Sequence, residues 1–242
     1  MRLASLTSAL VLFGCANQGD EGMIVLNNTA VSGACTLTGA AGQPFLSHGE
    51  LYALGNNGYL LTPLIQSRVT AETGGMGTAD LIQKTISLRG ADISLTVEAV
   101  SVRNGDGSYS VSTPANKQVD PFSVLFSGSL PPNGTVNVGF EVIPPATAQR
   151  ILSIAGYQTG QLMAAEVLAQ VTIRGDLGGD EITASPFHFP ISVCTDCVVN
   201  NLGACPVVGT ARVGNACNVF QDGVVDCCTN ASNQLVCPAP MM

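Results

Sequence analysis

The distribution of cysteines is the feature that most constrains the fold of this chain. Eight of the nine cysteines follow residue 30, and seven of those eight lie at or after Cys194. From Cys194 onward the chain is rich in Asn, Gly, Pro and Asp, and its strand patterns are short. A segment of this size cannot bury a sufficient hydrophobic core, so disulfides would have to stabilise it. The sequence therefore predicts a domain boundary near Val193 and a cysteine-rich, disulfide-stapled module over residues 194–242.

Residues 23–193 contain short apolar segments separated by turn signals. The clearest turns are Gly- and Asn-rich or Pro-rich and lie at 55–58, 131–134 and 178–180. Nine or ten short strands with at most one short helix is the pattern of an all-β domain. We predict an immunoglobulin-like β-sandwich over residues 23–193, with a closed barrel as the alternative.

Three local predictions follow from this segment. A short helix is expected over residues 146–154, because prolines precede it and Ala, Gln, Arg and Leu are good helix formers. The alternation over residues 92–102 cannot keep every apolar side chain on one face, so a bulge is expected near Ala99. Residues 49–54 and 59–69 flank a strong turn and are expected to pair as a hairpin.

The first residues have the pattern of an export signal. Arg2 precedes an apolar run over residues 3–14. This run has the length of a signal-peptide core and is shorter than the roughly 20 residues that a membrane-spanning helix needs. The sequence predicts a signal peptide over 1–14 and an oxidising destination, where an even number of cysteines indicates disulfides. The disulfide set is Cys35, Cys194, Cys197, Cys205, Cys217, Cys227, Cys228 and Cys237.

The end of the apolar run, Leu12-Phe13-Gly14-Cys15, resembles the lipobox of bacterial lipoproteins. The resemblance implies that Cys15 is lipidated and becomes the first residue of the mature chain. Residues 15–22 would then be a lipidated tether. Because Ala16 is not Asp, the sorting rule of that family implies the outer membrane. The alternative is an ordinary secretory peptide cut nearby.

The layout as a whole resembles myxobacterial-type envelope lipoproteins: a lipobox, a Gly-rich β domain and a cysteine-dense tail with adjacent cysteines. This resemblance implies a location and an anchor. It transfers no activity.

Charge excludes one class of partner. The formal net charge is −8, with nine Lys and Arg residues in all, and they form no basic stripe. Nucleic-acid binding depends on such a stripe, so we expect no nucleic-acid partner. Charged residues make up 11% of the chain, against roughly 25% in typical globular domains. With so few charges, solubility must depend on Ser, Thr, Asn, Gln and Gly. This composition favours an extracytoplasmic β protein.

The cysteine spacing admits two kinds of chemistry. Cys194 and Cys197 with Cys205 or Cys217 have spacing seen in zinc ribbons. The tail contains no histidine, and a zinc site would leave the other thiols unexplained. A disulfide knot is therefore favoured, and we expect neither metal nor cofactor.

Candidate catalytic residues are scarce. The two histidines are His48, before a strand, and His188, between two phenylalanines where it would face solvent. The chain has no Gly-x-Ser-x-Gly elbow. Residues 104–108 space oxygen atoms loosely like a calcium loop, but the glycine and the acid that such a loop requires are missing, so a plain turn is expected. The sequence therefore nominates no catalytic residue.

These observations favour a non-enzymatic envelope or cell-surface lipoprotein that acts as a structural or protein-interaction module, anchored to the membrane through Cys15. Its partner would be another envelope protein or a second copy. A polysaccharide or small-ligand binding module is the alternative, although four Tyr, eight Phe and no Trp supply few stacking platforms. A hydrolase with scattered acids is the third class.

A disulfide is expected to join the β domain to the tail. Cys35 lies in the β domain, and Cys194 or Cys197, at the end of the last strand, is its expected partner. The other six cysteines would form three bridges in the tail. Cys227 and Cys228 should take different partners, because neighbouring residues rarely meet disulfide geometry with each other.

Overall fold

The computed structural model describes residues 22–31, 34–40, 42–70 and 84–240. The predicted signal peptide, Cys15 and most of the predicted tether lie outside the described residues. The strands of the first half are β1 (Met23–Thr29), β2 (Phe45–Leu46), β3 (Gly49–Tyr52), β4 (Tyr59–Leu61), β5 (Pro63–Ser67), β6 (Ile86–Arg103) and β7 (Tyr109–Ser112). The elements that follow are β8 (Gln118–Leu130), β9 (Thr135–Asn137), β10 (Phe140–Ile143), α1 (Pro145–Ile154), β11 (Met163–Leu177), β12 (Asp180–Thr183), β13 (Phe187–Cys194), β14 (Val199–Ala204), β15 (Val225–Thr229) and β16 (Leu235–Val236).

The larger sheet is built on β6 and β11, two long antiparallel strands. Its order is β3-β13-β11-β6-β7, with β8 also pairing β6 and β12 also pairing β11. All of these pairs are antiparallel except β3 with β13, which is parallel. The strand β3 is therefore placed at an edge of the larger sheet, where one side of its backbone is open to another segment.

A smaller sheet and a strand pair cover one face of the larger sheet. The smaller sheet has the order β2-β1-β5-β9, and β4 pairs separately with β10. Buried side chains from both layers form one hydrophobic cluster, which includes Met23, Ile65, Ile93, Val97, Val167 and Val171. The chain is therefore all-β, as predicted, with the two-layered core of a β-sandwich.

The alternation in β6 shifts where the sequence indicated. Glu166 pairs with Ala99, but the next residue, Val167, pairs with Val97. The extra residue, Glu98, is exposed, and Val100 beyond it is again buried. The predicted bulge near Ala99 is confirmed.

The predicted helix is also confirmed, one residue longer at its start. Helix α1 has a proline at its first position, where the missing N–H costs nothing. It buries Ala148, Ile151 and Leu152, whose spacing places them on one face. The backbone N–H of Gly156 bonds to Ser153 just beyond its end, and Gly156 has a positive φ that suits glycine.

The predicted hairpin of residues 49–54 with 59–69 is wrong. The segment after β3 forms a 3-10 turn, Ala53–Gly55, followed by the left-handed Asn56. This connection turns the chain away from β3, so that β4 pairs with β10 and β5 lies between β1 and β9. Further along the chain, β12 and β13 are separated by a break that contains Pro186.

The tail forms a small sheet of its own. Its strands have the order β14-β15-β16, and its buried cluster is limited to Val207, Cys228 and Ala239. Such a cluster is far smaller than the core of the sandwich. The cross-links and polar contacts of the tail are therefore the features that position it.

Candidate functional site at the joint between sandwich and tail

All eight predicted cysteines are paired. The bonds are Cys35–Cys217, Cys194–Cys197, Cys205–Cys228 and Cys227–Cys237. Cys227 and Cys228 take different partners, as expected. The cysteines that could have bound zinc are consumed in disulfides, and within the described residues no three His, Cys, Asp or Glu side chains come together as a metal site.

The predicted partner of Cys35 is wrong. Residues 34–40 lie against β9, where Thr135 donates a hydrogen bond to the carbonyl of Gly39, and β9 is an edge of the smaller sheet. Cys194, in contrast, ends a strand of the larger sheet and closes a short loop with Cys197. Cys35 bonds instead to Cys217, 182 residues further along the chain. The tail therefore folds back over the sandwich.

Residues 218–222, which we name the latch segment, dock on the open edge of β3. The N–H of Tyr52 donates to the carbonyl of Phe220 over 3.0 Å, and the N–H of Asp222 donates to the carbonyl of Glu50 over 3.0 Å. Leu51 and Gln221 form an antiparallel bridge between these two bonds. The latch segment thereby satisfies backbone groups that an edge strand would otherwise leave open.

The side chain of Gln221 acts as a further backbone unit. Its Nε2 donates to the carbonyl of Leu60 over 2.7 Å, and its Oε1 accepts from the N–H of Leu60 over 2.8 Å. Both groups of one residue of β4 are paired with a single amide side chain that is 2% exposed. Gln221 therefore connects the latch segment to β4 as well as to β3.

A buried tyrosine and a half-buried carboxylate complete this contact. The hydroxyl of Tyr59 donates to Oδ2 of Asp222 over 2.8 Å, and Oδ1 of Asp222 accepts from the N–H of Glu50 over 2.8 Å. Burial raises the pKa of Asp222 above its ordinary value. Burial also raises the pKa of Tyr59, and the neighbouring Asp222 charge raises it further. Tyr59, Gln221 and Asp222 form what we name the joint between the sandwich and the tail.

A second carboxylate organises the tail internally. Oδ1 of Asp226 accepts from Arg212 Nη2 over 2.6 Å and from Asn200 Nδ2 over 2.7 Å, while Oδ2 accepts from the Arg212 backbone N–H over 2.8 Å. The hydrogen bonds from Arg212 hold the pKa of Asp226 well below its usual range. Asp226 links residues of three tail segments around β15.

A cleft of about 450 Å³ lies beside the latch segment. It is lined by the turn 56–58, Leu60, Glu141, Pro145 and residues 217–219. One wall belongs to the tail and the opposite wall to the sandwich, so the Cys35–Cys217 bond helps to define the cleft. Clefts between structural units are common sites of ligand binding.

His48 belongs to a hydrogen-bonded cluster elsewhere, on the outer face of the larger sheet. Its Nε2 lies 3.3 Å from Oε2 of Glu166 and 3.3 Å from Oγ of Ser192, and the Ser192 hydroxyl also donates to Glu166 directly. A nucleophile–histidine–acid relay uses the two different ring nitrogens of the histidine. Here both contacts involve the same nitrogen, so the geometry is that of a surface polar cluster.

His188 lies as the sequence indicated. It is exposed, whereas Phe189 is 2% exposed and Phe187 is half-buried. The two phenylalanine rings stack with centroids 6.2 Å apart. Residues 104–108 form the expected turn, in which the N–H of Asn104 donates to the carbonyl of Ser108.

The residues that form the joint carry no distinguishing pattern in the sequence. Tyr59 follows a turn, and Gln221 and Asp222 lie in a polar stretch without periodicity. Such residues are ordinary turn and loop residues until a distant strand is placed beside them. The one available signal was that Cys35 needed a partner in the tail, which required the tail to contact the sandwich somewhere.

The comparisons with known proteins identify no family for the chain. No family model matches it, and no curated protein matches it. Among solved structures, it resembles Spo0M, a sporulation control protein from Bacillus subtilis, at 13% identity and a TM-score of 0.19. The match covers 56% of this chain and 43% of that protein. A similarity this low carries no argument about fold or function.

Helices within the described ranges are all too short or too polar to cross a membrane.

Proposed function

We propose that this chain is a non-enzymatic envelope lipoprotein that acts as a structural or protein-interaction module, held at the outer membrane by a lipid on Cys15. The observation that carries the proposal is that the polar groups at the joint are engaged in holding the tail to the sandwich. Tyr59, Gln221 and Asp222 all contact one another or the backbone of β3 and β4. Such groups stabilise the attachment of the tail to the sandwich.

The same groups are poorly suited to chemistry. A general acid or base must reach the proton that it transfers. Tyr59 is 0% exposed, and its hydroxyl is bonded to Asp222. Perturbed pKa values often indicate an active site, but structural networks perturb them equally well. The contacts of Tyr59 and Asp222 are those of a structural network.

The anchor supports the same role. The lipobox resemblance implies a lipid on Cys15, and β1 begins at Met23. The expected tether, residues 15–22, has eight residues. Fully extended, it would span about 28 Å, at roughly 3.5 Å per residue. The sandwich would therefore stay close to the membrane surface, where neighbouring envelope proteins are within reach.

The anchor is tested by labelling with radioactive palmitate. We expect the wild-type chain to incorporate the label and to sediment with membranes. Cys15→Ser should lose the label and become soluble, whereas the matched variant Cys35→Ser should keep the label, because it removes a disulfide cysteine and not the lipid site. A Cys15→Ser chain that stays membrane-bound to the wild-type extent would contradict the lipoprotein assignment.

A polysaccharide-binding function is the second candidate, because one hollow on the larger sheet favours it. This hollow of about 260 Å³ is lined in part by Asp92, Ser94, Ser123, Gln170 and Thr172. Hydroxyl, amide and carboxylate groups are complementary to the hydroxyl groups of sugars. Binding on a glycan array would favour this function, whereas recovery of a specific envelope protein from detergent-solubilised membranes would favour the first.

A further inference from the structure

The cleft beside the latch segment has the volume of a ligand site. Its roughly 450 Å³ falls within the range of about 300–1,000 Å³ that is usual for such sites. We propose that it binds a basic side chain, lysine or arginine, of a partner protein. This inference rests on the proposed interaction function, for which it specifies the chemistry of the partner.

The charge of the cleft favours a cation. Glu141 is the one carboxylate in its lining, and the lining that the structure describes includes no basic side chain. The amide oxygens of Asn56 and Asn57 are acceptors of the kind that an ammonium or guanidinium group uses. The whole chain carries a formal net charge of −8, so a basic partner would also be attracted from a distance.

The apolar part of the lining suits the stem of such a side chain. Leu60, Pro145 and Val219 contribute apolar surface beside the polar groups. Lysine and arginine bury their methylene stems against apolar surface and keep the charged group in a polar site. Glu141 lies directly opposite Leu60 in the β4–β10 pair, so the carboxylate and part of the apolar surface come from neighbouring positions.

An anionic ligand is less well matched, although the start of α1 borders the cleft. A helix N-terminus attracts anions through its dipole and its unpaired N–H groups. Here the first helical residue is Pro145, which has no N–H, and Glu141 adds a full negative charge beside it. A full charge exceeds the half charge of a helix terminus, so the cation is favoured.

The walls of the cleft are held in place before any ligand arrives. Asn218 donates its side-chain N–H to the carbonyl of Gly58, Gln221 bonds to Leu60, and Cys217 is bonded to Cys35. A preorganised site loses less conformational entropy on binding than a mobile one. Binding should therefore depend on the Cys35–Cys217 bond as well as on Glu141.

The test uses the full exported chain in a neutral detergent and capped tripeptides whose central residue is lysine, arginine, norleucine or glutamate. Norleucine retains the methylene stem without the charge. In a nitrogen-15 NMR titration we expect the lysine and arginine peptides to shift the signals of Gly58, Leu60, Glu141 and residues 217–219. The norleucine and glutamate peptides should leave those signals unchanged at the same concentration.

Two variants locate the effect. Glu141→Gln removes the charge from an exposed position and should weaken binding of the lysine peptide about fivefold. Glu181→Gln, an exposed position on β12 outside the cleft, is the matched control and should bind as the wild type does. The double variant Cys35→Ser/Cys217→Ser should also bind less tightly, and binding by the wild type should weaken as salt is raised.

Equal binding of the norleucine peptide, an unchanged Glu141→Gln variant, or no binding at 10 mM peptide would each overturn the inference. The proposed function is tested separately, by recovery of an envelope partner on Glu141→Gln and on wild-type chains. Recovery of the same partner to the same extent on both would leave the interaction function intact and overturn the assignment of the cleft.

Discussion

Two carboxylates, Asp222 at the joint and Asp226 in the tail, have pKa values that are shifted in opposite directions. Burial raises the pKa of Asp222, so its charged form is disfavoured by its surroundings. Hydrogen bonds from Arg212 lower the pKa of Asp226, so its charged form is favoured. Protonation is linked to folding, so the folded state loses stability as pH rises through the raised pKa of Asp222. The charged form of Asp226 instead stabilises the folded state, and this stabilisation is lost on acidification.

The lowered pKa of Asp226 predicts that the stability of the tail is sensitive to acid. Its stabilising effect should be complete above the ordinary carboxyl pKa of about 4 and should be lost as pH falls below that value toward its lower folded-state pKa. We expect Asp226→Asn to lower the stability of the tail at neutral pH. The variant tail should also lose less stability between about pH 4 and pH 2 than the wild-type tail does. Hydrogen exchange measures this at the Arg212 amide, which donates to the Asp226 carboxylate, and at the Ala239 amide, which donates to the Asp226 backbone carbonyl.

The control for this experiment is Asp180→Asn, at an exposed position in β12. It should preserve the acid sensitivity of the wild type. If Asp226→Asn were as acid-sensitive as the wild type, Asp226 would not be the group responsible.

Gly49 supports Tyr59 by leaving room for it. A Cβ at Gly49 would overlap the Tyr59 ring, and the nearest ring carbon would lie 2.5 Å away. Because Tyr59 is fully buried, it has little room to move, and we expect Gly49→Ala to lower the free energy of unfolding by about 1–3 kcal/mol. Gly105→Ala lies in a turn with no neighbour within 4 Å of the added Cβ and should change stability little. Urea unfolding of both variants is the measurement, and equal stability of the two would contradict the packing argument.

At the level of elements, the latch segment behaves as an additional strand that lacks the pattern of one. Its backbone pairs with β3, and one side chain, Gln221, pairs with β4. An edge strand such as β3 exposes unpaired backbone groups, which another segment can satisfy. The latch segment therefore joins two strands that do not pair with each other.

Gln221→Leu should loosen this contact. The leucine has a similar volume but leaves the N–H and carbonyl of Leu60 without the amide partner, which we expect to cost about 1–3 kcal/mol. The Leu60 amide should then exchange faster with solvent, and the latch segment should be cleaved sooner in limited proteolysis. Gln234→Leu, at an exposed tail position, should leave both measurements unchanged. Unchanged protection of the Leu60 amide in Gln221→Leu would show that the side-chain pairing contributes nothing.

The whole molecule is closed by one long-range cross-link. Cys35 and Cys217 are 182 residues apart, and in the chain-entropy model a bond across such a loop contributes about 5 kcal/mol. Cys227–Cys237 closes a separation of 10 residues, for which the same model gives about 3 kcal/mol. The bond that joins sandwich and tail is therefore expected to contribute more to stability than a short bond within the tail.

Two measurements test this cross-link. Non-reducing peptide mapping should recover Cys35 linked to Cys217, and a Cys35 peptide linked to Cys194 or Cys197 would contradict the fold-back arrangement of the tail. Cys35→Ser/Cys217→Ser should lower the free energy of unfolding by several kcal/mol, up to about 5. The loss of stability should appear first at the joint, where protease should cleave residues 218–222 faster than in the wild type.

Local patterns of the sequence determined a substantial part of the fold. Alternation and turn residues indicated the all-β class, the bulge near Ala99 and the exposed position of His188, and two prolines indicated the start of α1. These features depend on residues a few positions apart, whose preferences act through backbone dihedrals and side-chain direction. The cysteine count likewise indicated a disulfide-bonded tail.

Only the tertiary structure decided which distant segments meet. The failed hairpin at 49–69, the pairing of Cys35 with Cys217, and the joint built from Tyr59, Gln221 and Asp222 all depend on contacts between remote positions. A loop or turn residue has no periodicity that indicates its partner, and the free energy of such a contact depends on burial that exists only once both layers of the sandwich are assembled. The sequence by itself thus determined the kind of structure each segment forms, while packing decided where the tail attaches and which cleft that attachment creates.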